Sequence, residues 1–262
     1  MNGFSVPPMP QTNWSLDAAE RRNNVGELIK SAQLSTEAPR IPWDHFIKNV
    51  FVWRQGEHVG MIGPTGQGKT TLLKHVLPLQ KYTVVCATKP RDETMSDLIS
   101  RGGYHPIEKW QSLDPKKFPK RILWPDASQL DSDKHQRETF LDAMGKIYRE
   151  GGWSFVIDEG WFFINVLGLE KQVKIYLTQA RALLISIVFS TQRPAFVPLE
   201  VYDQSTHLFF WRDNDERNLS RLSGISYRSA ALIKDLISNL EQYQVLYINT
   251  RTGQMFRTRS PK

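Results

Sequence analysis

Cysteine is almost missing from the 262-residue sequence. Cys86 stands alone, so no internal disulfide and no multi-cysteine zinc site can form. The six histidines lie at least 13 residues apart, which leaves no short-range metal-binding pair. Long apolar runs are absent as well: the longest uncharged one, around Leu183–Phe189, falls far short of the roughly 18–20 residues that span a bilayer. Met1–Pro10 carries neither a basic n-region nor an apolar h-region, so no secretory leader is expected there. Repeats and low-complexity segments are absent too. These absences predict an intracellular soluble protein.

What is present suffices for a full core. Hydrophobic residues make up 40% and charged residues 23%, a composition that does not favour global disorder. The length fits one large domain, or one domain with an appended arm. A net charge of +7 permits a nucleic-acid partner without demanding one. Its placement is uneven. Residues 101–121 hold six Lys/Arg against two acids, interleaved with Tyr104, Trp110 and Phe118. The last twelve residues carry Arg251, Arg257, Arg259 and Lys262 and no acid. Arg101–Arg121 is therefore a candidate loop for tracking a phosphate backbone, with Lys116, Lys117, Lys120 and Arg121 as its contacts and the C-terminal tail as the next candidate; solvated loops would look the same.

Residues 1–40 read as an arm, with Pro7, Pro8, Pro10 and Pro39 and one amphipathic helix over Leu16–Leu34. Residues 41–262 read as the domain. His58–Ile62 predicts a short strand, then a glycine-rich loop and a helix, Thr70–Leu77, stopped by Pro78. Tyr82–Ala87 predicts a second strand. Four prolines then punctuate an irregular stretch around a strand at Arg121–Trp124. Ser132–Glu150 and Glu170–Ala182 have helical spacing, with strands at Ser154–Ile157, Leu184–Ser190 and Thr206–Trp211. Helices at Asp215–Leu222 and Tyr227–Leu240 precede a closing hairpin, Tyr243–Asn249 and Met255–Arg259. Strands alternating with helices predict an α/β fold with a mainly parallel sheet.

The chemistry is carried by Gly63-Pro64-Thr65-Gly66-Gln67-Gly68-Lys69-Thr70, followed by Thr71. This is P-loop spacing between a strand and a helix. Its glycines let backbone N–H groups face phosphate oxygens, Lys69 neutralises the β- and γ-phosphates, and the Thr70 hydroxyl can ligate Mg²⁺. The expected ligands are therefore ATP and Mg²⁺. Ser154–Ile157 ends in Asp158 and Glu159, which suits a second metal ligand (Asp158) and a base that polarises an attacking water (Glu159). Thr191-Gln192-Arg193-Pro194 follows the next strand, and Gln192 fits a sensor of the γ-phosphate or the water.

The ordered set of GPTGQGKT, FVIDE and STQRP, with Arg181 eleven residues before Gln192, resembles the FtsK/HerA superfamily of ring-shaped P-loop DNA translocases. The matching segments span roughly residues 50–210. The resemblance implies a RecA-like (ASCE) fold and ATP hydrolysis coupled to pumping or packaging double-stranded DNA. It also implies a homo-oligomeric ring, hexameric or pentameric, with a portal or accessory protein as a possible partner, in the cytoplasm of a bacterial or archaeal host. Asp158 and Glu159 become the Walker B pair, Gln192 the sensor and Arg181 an arginine finger. No membrane anchor or winged-helix module is seen, and Ala87–Asp92 is only loosely similar to the family's Asp-Pro-Lys-type element. A stripped motor of phage or mobile-element type is the expectation.

Rivals fail on single residues. A GTPase needs an acid where Arg91 stands in Thr88-Lys89-Pro90-Arg91. Leu222-Ser223-Gly224 comes 64 residues after Asp158, too late for an ABC signature. A thymidine kinase would need a cysteine-rich zinc lobe. The rival from another class is a nucleotide-switched assembly scaffold that binds ATP and pumps nothing.

Overall fold

A computed structural model describes residues 36–261 except 112, 194–195 and 222–228. The Leu16–Leu34 helix therefore lies outside the described residues. The main compact unit is Ala38–Lys262.

Nine strands form one sheet: β1 His58–Ile62, β2 Thr83–Cys86, β3 His105–Ile107, β4 Lys120–Leu123, β5 Ser154–Ile157, β6 Ser186–Thr191, β7 Ser205–Trp211, β8 Val245–Asn249 and β9 Met255–Thr258. Their order is β3-β4-β2-β5-β6-β1-β7-β8-β9. Pairing is parallel from β3 to β7. It turns antiparallel at β8 and β9. Parallel strands covered on both faces should be near-continuous apolar runs, and TVVC and SFVI are buried at every position. The closing hairpin is present as expected.

Helices cover both faces. Alternation along β5 sends Val156 to the face where Leu72, Leu73 and Val76 of α1 (Lys69–Val76) and Met95 and Leu98 of α2 (Glu93–Ser100) pack. Phe155 points the other way, against Phe163 of α4 (Gly160–Asn165) and Tyr176 of α5 (Glu170–Gln179). Phe140 of α3 (Asp133–Glu150) joins them through Phe163. Further helices among the described residues include α6 (Glu200–Asp203), α7 (Glu216–Arg221) and α8 (Ala230–Ser238).

The stretch read as irregular holds two elements. Helix α2 starts at Asp92, whose carboxylate accepts from the backbone N–H groups of Thr94 (2.8 Å) and Met95 (3.1 Å). Strand β3 contains Pro106, which the sheet tolerates because β3 is an edge. Strand β6 starts at Ser186 rather than Leu184, because Leu184 sits at φ +55° and ends a 3₁₀ turn over Ala180–Leu183.

The expectation of a backbone-tracking loop at Arg101–Arg121 needs correction. Arg121 is 1% exposed. Its guanidinium lies 4.6 Å from the ring centres of both Trp110 and Trp153 and donates to the carbonyls of Phe118 (3.0 Å), Leu113 (2.8 Å) and Gln111 (3.3 Å). Both indoles donate in turn to Glu150. Tyr104 and Trp110 are buried, so the aromatic interleaving is core. Only Lys116 and Lys117 of the four proposed contacts are exposed; Lys120 is half-buried. A buried cation stacked over two rings and bonded to three carbonyls ties this loop to the core. Arg121→Ala should lower unfolding stability by on the order of 3 kcal/mol in a denaturant titration. A loss within 0.5 kcal/mol, on the order of a surface substitution, would show that the sandwich is dispensable.

Candidate functional site

The ends of β5, β6 and β1 lie side by side at one edge of the sheet, with Ile62 opposite Thr191 and Ile157 opposite Phe189. Gly63 leaves β1 against Trp211, where a β-carbon would come within 2.7 Å of the Trp211 Cβ. Gly66 (φ +75°) and Gly68 (φ +102°) hold left-handed conformations that turn the loop into α1. Lys69, 7% exposed, donates to the carbonyls of Gly63 (2.6 Å) and Pro64 (2.7 Å). Burial pulls its pKa down to about 8, against the upward pull of Asp158 and Glu159.

Opposite the loop, Asp158 and Glu159 follow β5. Burial pushes Asp158 up to about 6, with the neighbouring Glu159 charge adding to it and Lys89 opposing it. Gly160 comes next and allows no side chain, because a β-carbon there would meet the Phe189 ring and the Ser190 carbonyl. That contact seats the start of α4 on β6 and brings Glu159 beside the end of β6. Gln192 is joined to the P-loop: the Thr65 hydroxyl donates to its Oε1 at 2.5 Å.

These groups share one cavity of about 540 Å³, inside the usual range for a nucleotide-sized ligand. Thr65, Gly66, Gly68, Lys69, Thr70, Thr71, Asp158, Glu159 and Gln192 all line it. Gly63 and Pro64 serve through their carbonyls. Gln67 lines a separate pocket beside Arg212 and Asp213, and its Oε1 is buried with no partner.

Two cavity residues beside the acidic pair were missed in the sequence. The Lys89 ammonium lies 2.6 Å from Glu159 Oε1 and 3.9 Å from Asp92. Ser190 Oγ is buried beside Asp158 without a hydrogen-bond partner within normal distance. The signal for Lys89 was its place just after β2, the neighbour of β5 (Cys86 opposite Ile157). Among the described residues, no cluster of three or more His, Cys, Asp or Glu could hold a metal by itself. Thr70 and Asp158 nevertheless face one cavity, and the unpartnered Ser190 hydroxyl beside a carboxylate is a donor set that suits a hard cation completed by phosphate and water.

Arg181 is not brought to this cavity. It sits on the turn before β6, at the other edge, where its Nη2 donates to the Gln204 carbonyl at 2.9 Å. Six strand residues at about 3.3 Å each put it roughly 20 Å from Gln192. The tail arginines are also engaged. Arg251 pairs with Glu57 (2.8 Å), Arg257 donates to the Ala38 carbonyl (2.8 Å), and Arg259 pairs with Glu241 (2.7 Å). No helix among the described residues is long and apolar enough to cross a membrane.

No family model and no curated protein matches the chain. Solved structures do. The genome packaging NTPase B204 of Sulfolobus turreted icosahedral virus 2, bound to sulfate, aligns at TM-score 0.58 with 14% identity, over 79% of this chain and 97% of that one. The same protein in complex with ATP-gammaS aligns at 0.57 with 15% identity, over 80% and 100%. VirB4 of Thermoanaerobacter pseudethanolicus aligns at 0.57 with 11% identity, over 78% and 89%. The fold is thus RecA-like, with a mainly parallel sheet and flanking helices.

An unneutralised triphosphate in this cavity would lose its main charge partner. Lys69→Ala should therefore abolish ATP binding measured by calorimetry, and near-normal binding would remove Lys69 from the site.

Proposed function

We propose that the chain is the ATP-hydrolysing motor subunit of a DNA translocase of the FtsK/HerA type, working as a ring that pumps or packages double-stranded DNA. The observation that carries this reading is the convergence of a P-loop, an acidic pair and a glutamine on one cavity, with the sensor strand β6 between the other two strands. A triphosphate held by the loop and Lys69 would present its γ-phosphate to Glu159 and Gln192. Glu159 would accept a proton from an attacking water, and Gln192 would hold that water or a γ-oxygen. Thr70 and Asp158 would hold Mg²⁺, which supplies charge neutralisation of the β- and γ-phosphates. The neighbour named as a genome packaging NTPase makes packaging the favoured task. A ring of five or six subunits, a portal or accessory partner and a cytoplasmic setting without a membrane anchor belong to the same proposal.

One observation favours the scaffold alternative. Glu159 is held by Lys89 at 2.6 Å, an ion pair that engages the carboxylate otherwise free to take a proton from water. Steady-state ATPase rates separate the two readings. A translocase should speed up severalfold when duplex DNA is added, whereas slow turnover that ignores DNA would favour the scaffold.

Arg181 fits the motor only in trans, where its guanidinium would offset charge on the γ-phosphate bound to a neighbouring subunit. Arg181→Ala and Lys69→Ala, each inactive alone, should regain part of the ATPase activity when co-assembled. No recovery at any mixing ratio, in assemblies containing both variants, would assign Arg181 to capping the Gln204 carbonyl instead.

A further inference from the structure

The sheet order gives the cavity two unlike flanks. On one side of β1 lie β6, β5 and β2, whose ends carry Gln192, Asp158, Glu159 and Lys89. On the other side lie β7, β8 and β9. Strand β8 is antiparallel, so Tyr243, two residues before it, reaches the same edge as the P-loop, with Val245 opposite Trp211. Strand β9 reverses again, with Thr258 opposite Val245, so Ser260 and Pro261 also leave at that edge. Tyr243, Ser260 and Pro261 line the nucleotide cavity. Among the described residues, no charged side chain of this flank lines it.

Three further observations mark this flank as built. Tyr243 is a non-glycine residue at φ +62°, a left-handed conformation that side chains disfavour. The turn that imposes it is closed by Gln244 N–H donating to the Glu241 carbonyl (3.0 Å) and Glu241 N–H donating to Gln244 Oε1 (3.2 Å). The result points the ring at the P-loop: Tyr243 Cδ1 is 3.8 Å from where a β-carbon on Gly68 would sit, and the residue is 38% exposed. The C-terminal segment is fastened at two points, Arg259 to Glu241 of that same turn at 2.7 Å and the Pro261 carbonyl to His75 Nε2 of α1 at 3.2 Å.

We infer that Tyr243, with the Ser260–Pro261 strap, forms the subsite for the nucleobase, gripping the base by its aromatic face. This rests on the proposed reading of the P-loop, because a γ-phosphate at Glu159 and Gln192 sends the base of the same nucleotide to the opposite flank. The phenol ring offers a π-face to the base, and the strap bounds the same end of the cavity. Stacking of this kind tolerates any base and adds affinity that the phosphates cannot supply.

Binding to the full-length chain, measured by calorimetry for ATP and by competition for inorganic tripolyphosphate, tests the inference. Tyr243→Ala should weaken ATP about tenfold, the loss of one stacked base, and leave tripolyphosphate within about twofold. Tyr243→Phe, which keeps the ring, should bind ATP nearly as wild type. Equal weakening of both ligands would make Tyr243 a support of the loop and overturn the subsite, as would unchanged ATP binding in Tyr243→Ala. Lys69→Ala distinguishes the deeper failure. If it binds both ligands as tightly as wild type, the phosphate site itself is wrong and the base subsite falls with it; if it loses both while Tyr243→Ala changes neither, only the subsite is overturned.

Discussion

Strand β6 sits wedged between the P-loop strand and the carboxylate strand, and the site depends on how closely that wedge is packed. Gly160 begins α4 where a β-carbon would strike Phe189 and the Ser190 carbonyl of β6. Gly63 leaves β1 with as little room against Trp211. Gly160 therefore lets the acidic pair close on β6, while Gly63 seats the loop against β7 on the other side of β1. Any side chain at Gly160 would push Glu159 away from β6, and a displacement of about 1 Å is enough to spoil a water-attack geometry.

Packing this tight also shifts the charges that line the cavity. Lys69 is buried enough to be pulled towards neutrality and spends its protons on loop carbonyls. Asp158 is pushed the other way, and Glu159 is paired with Lys89. Under the proposed function, a triphosphate with its cation would bring negative charge to Lys69, positive charge to Asp158 and a competing anion to Lys89, so the same few charges would link binding and activation. At the far edge Glu57, His207 and Arg251 satisfy one another, which fits a framework role there.

Much of this was legible in the sequence because it is local. The P-loop, the apolar strand ending in Asp158 and Glu159, and Gln192 after the next strand each depend on short-range pattern, and the structure gathers all three. Lys89 and Ser190 were not legible, since their roles come from β2 and β6 lying next to β5, a pairing between distant segments. Arg121 misled for the same reason: a basic residue among aromatics has the composition of a nucleic-acid loop, and only the fold shows two tryptophans closing on it. Helix α2 was missed although Asp92 with Met95 and Leu98 is a readable start, because the surrounding prolines dominated the stretch. Tyr243 carried no motif at all; its place follows from strand direction.

The central claim is that Glu159 acts on water at this cavity while the loop binds the nucleotide. Glu159→Gln keeps the size and hydrogen bonding of the side chain and removes the base. Binding and single-turnover hydrolysis of ATP, measured on the same preparation, test it directly. ATP affinity within a few-fold of wild type and hydrolysis slower by two or more orders of magnitude is the predicted result. Hydrolysis within a few-fold of wild type would contradict the account and leave Glu159 as a structural partner of Lys89.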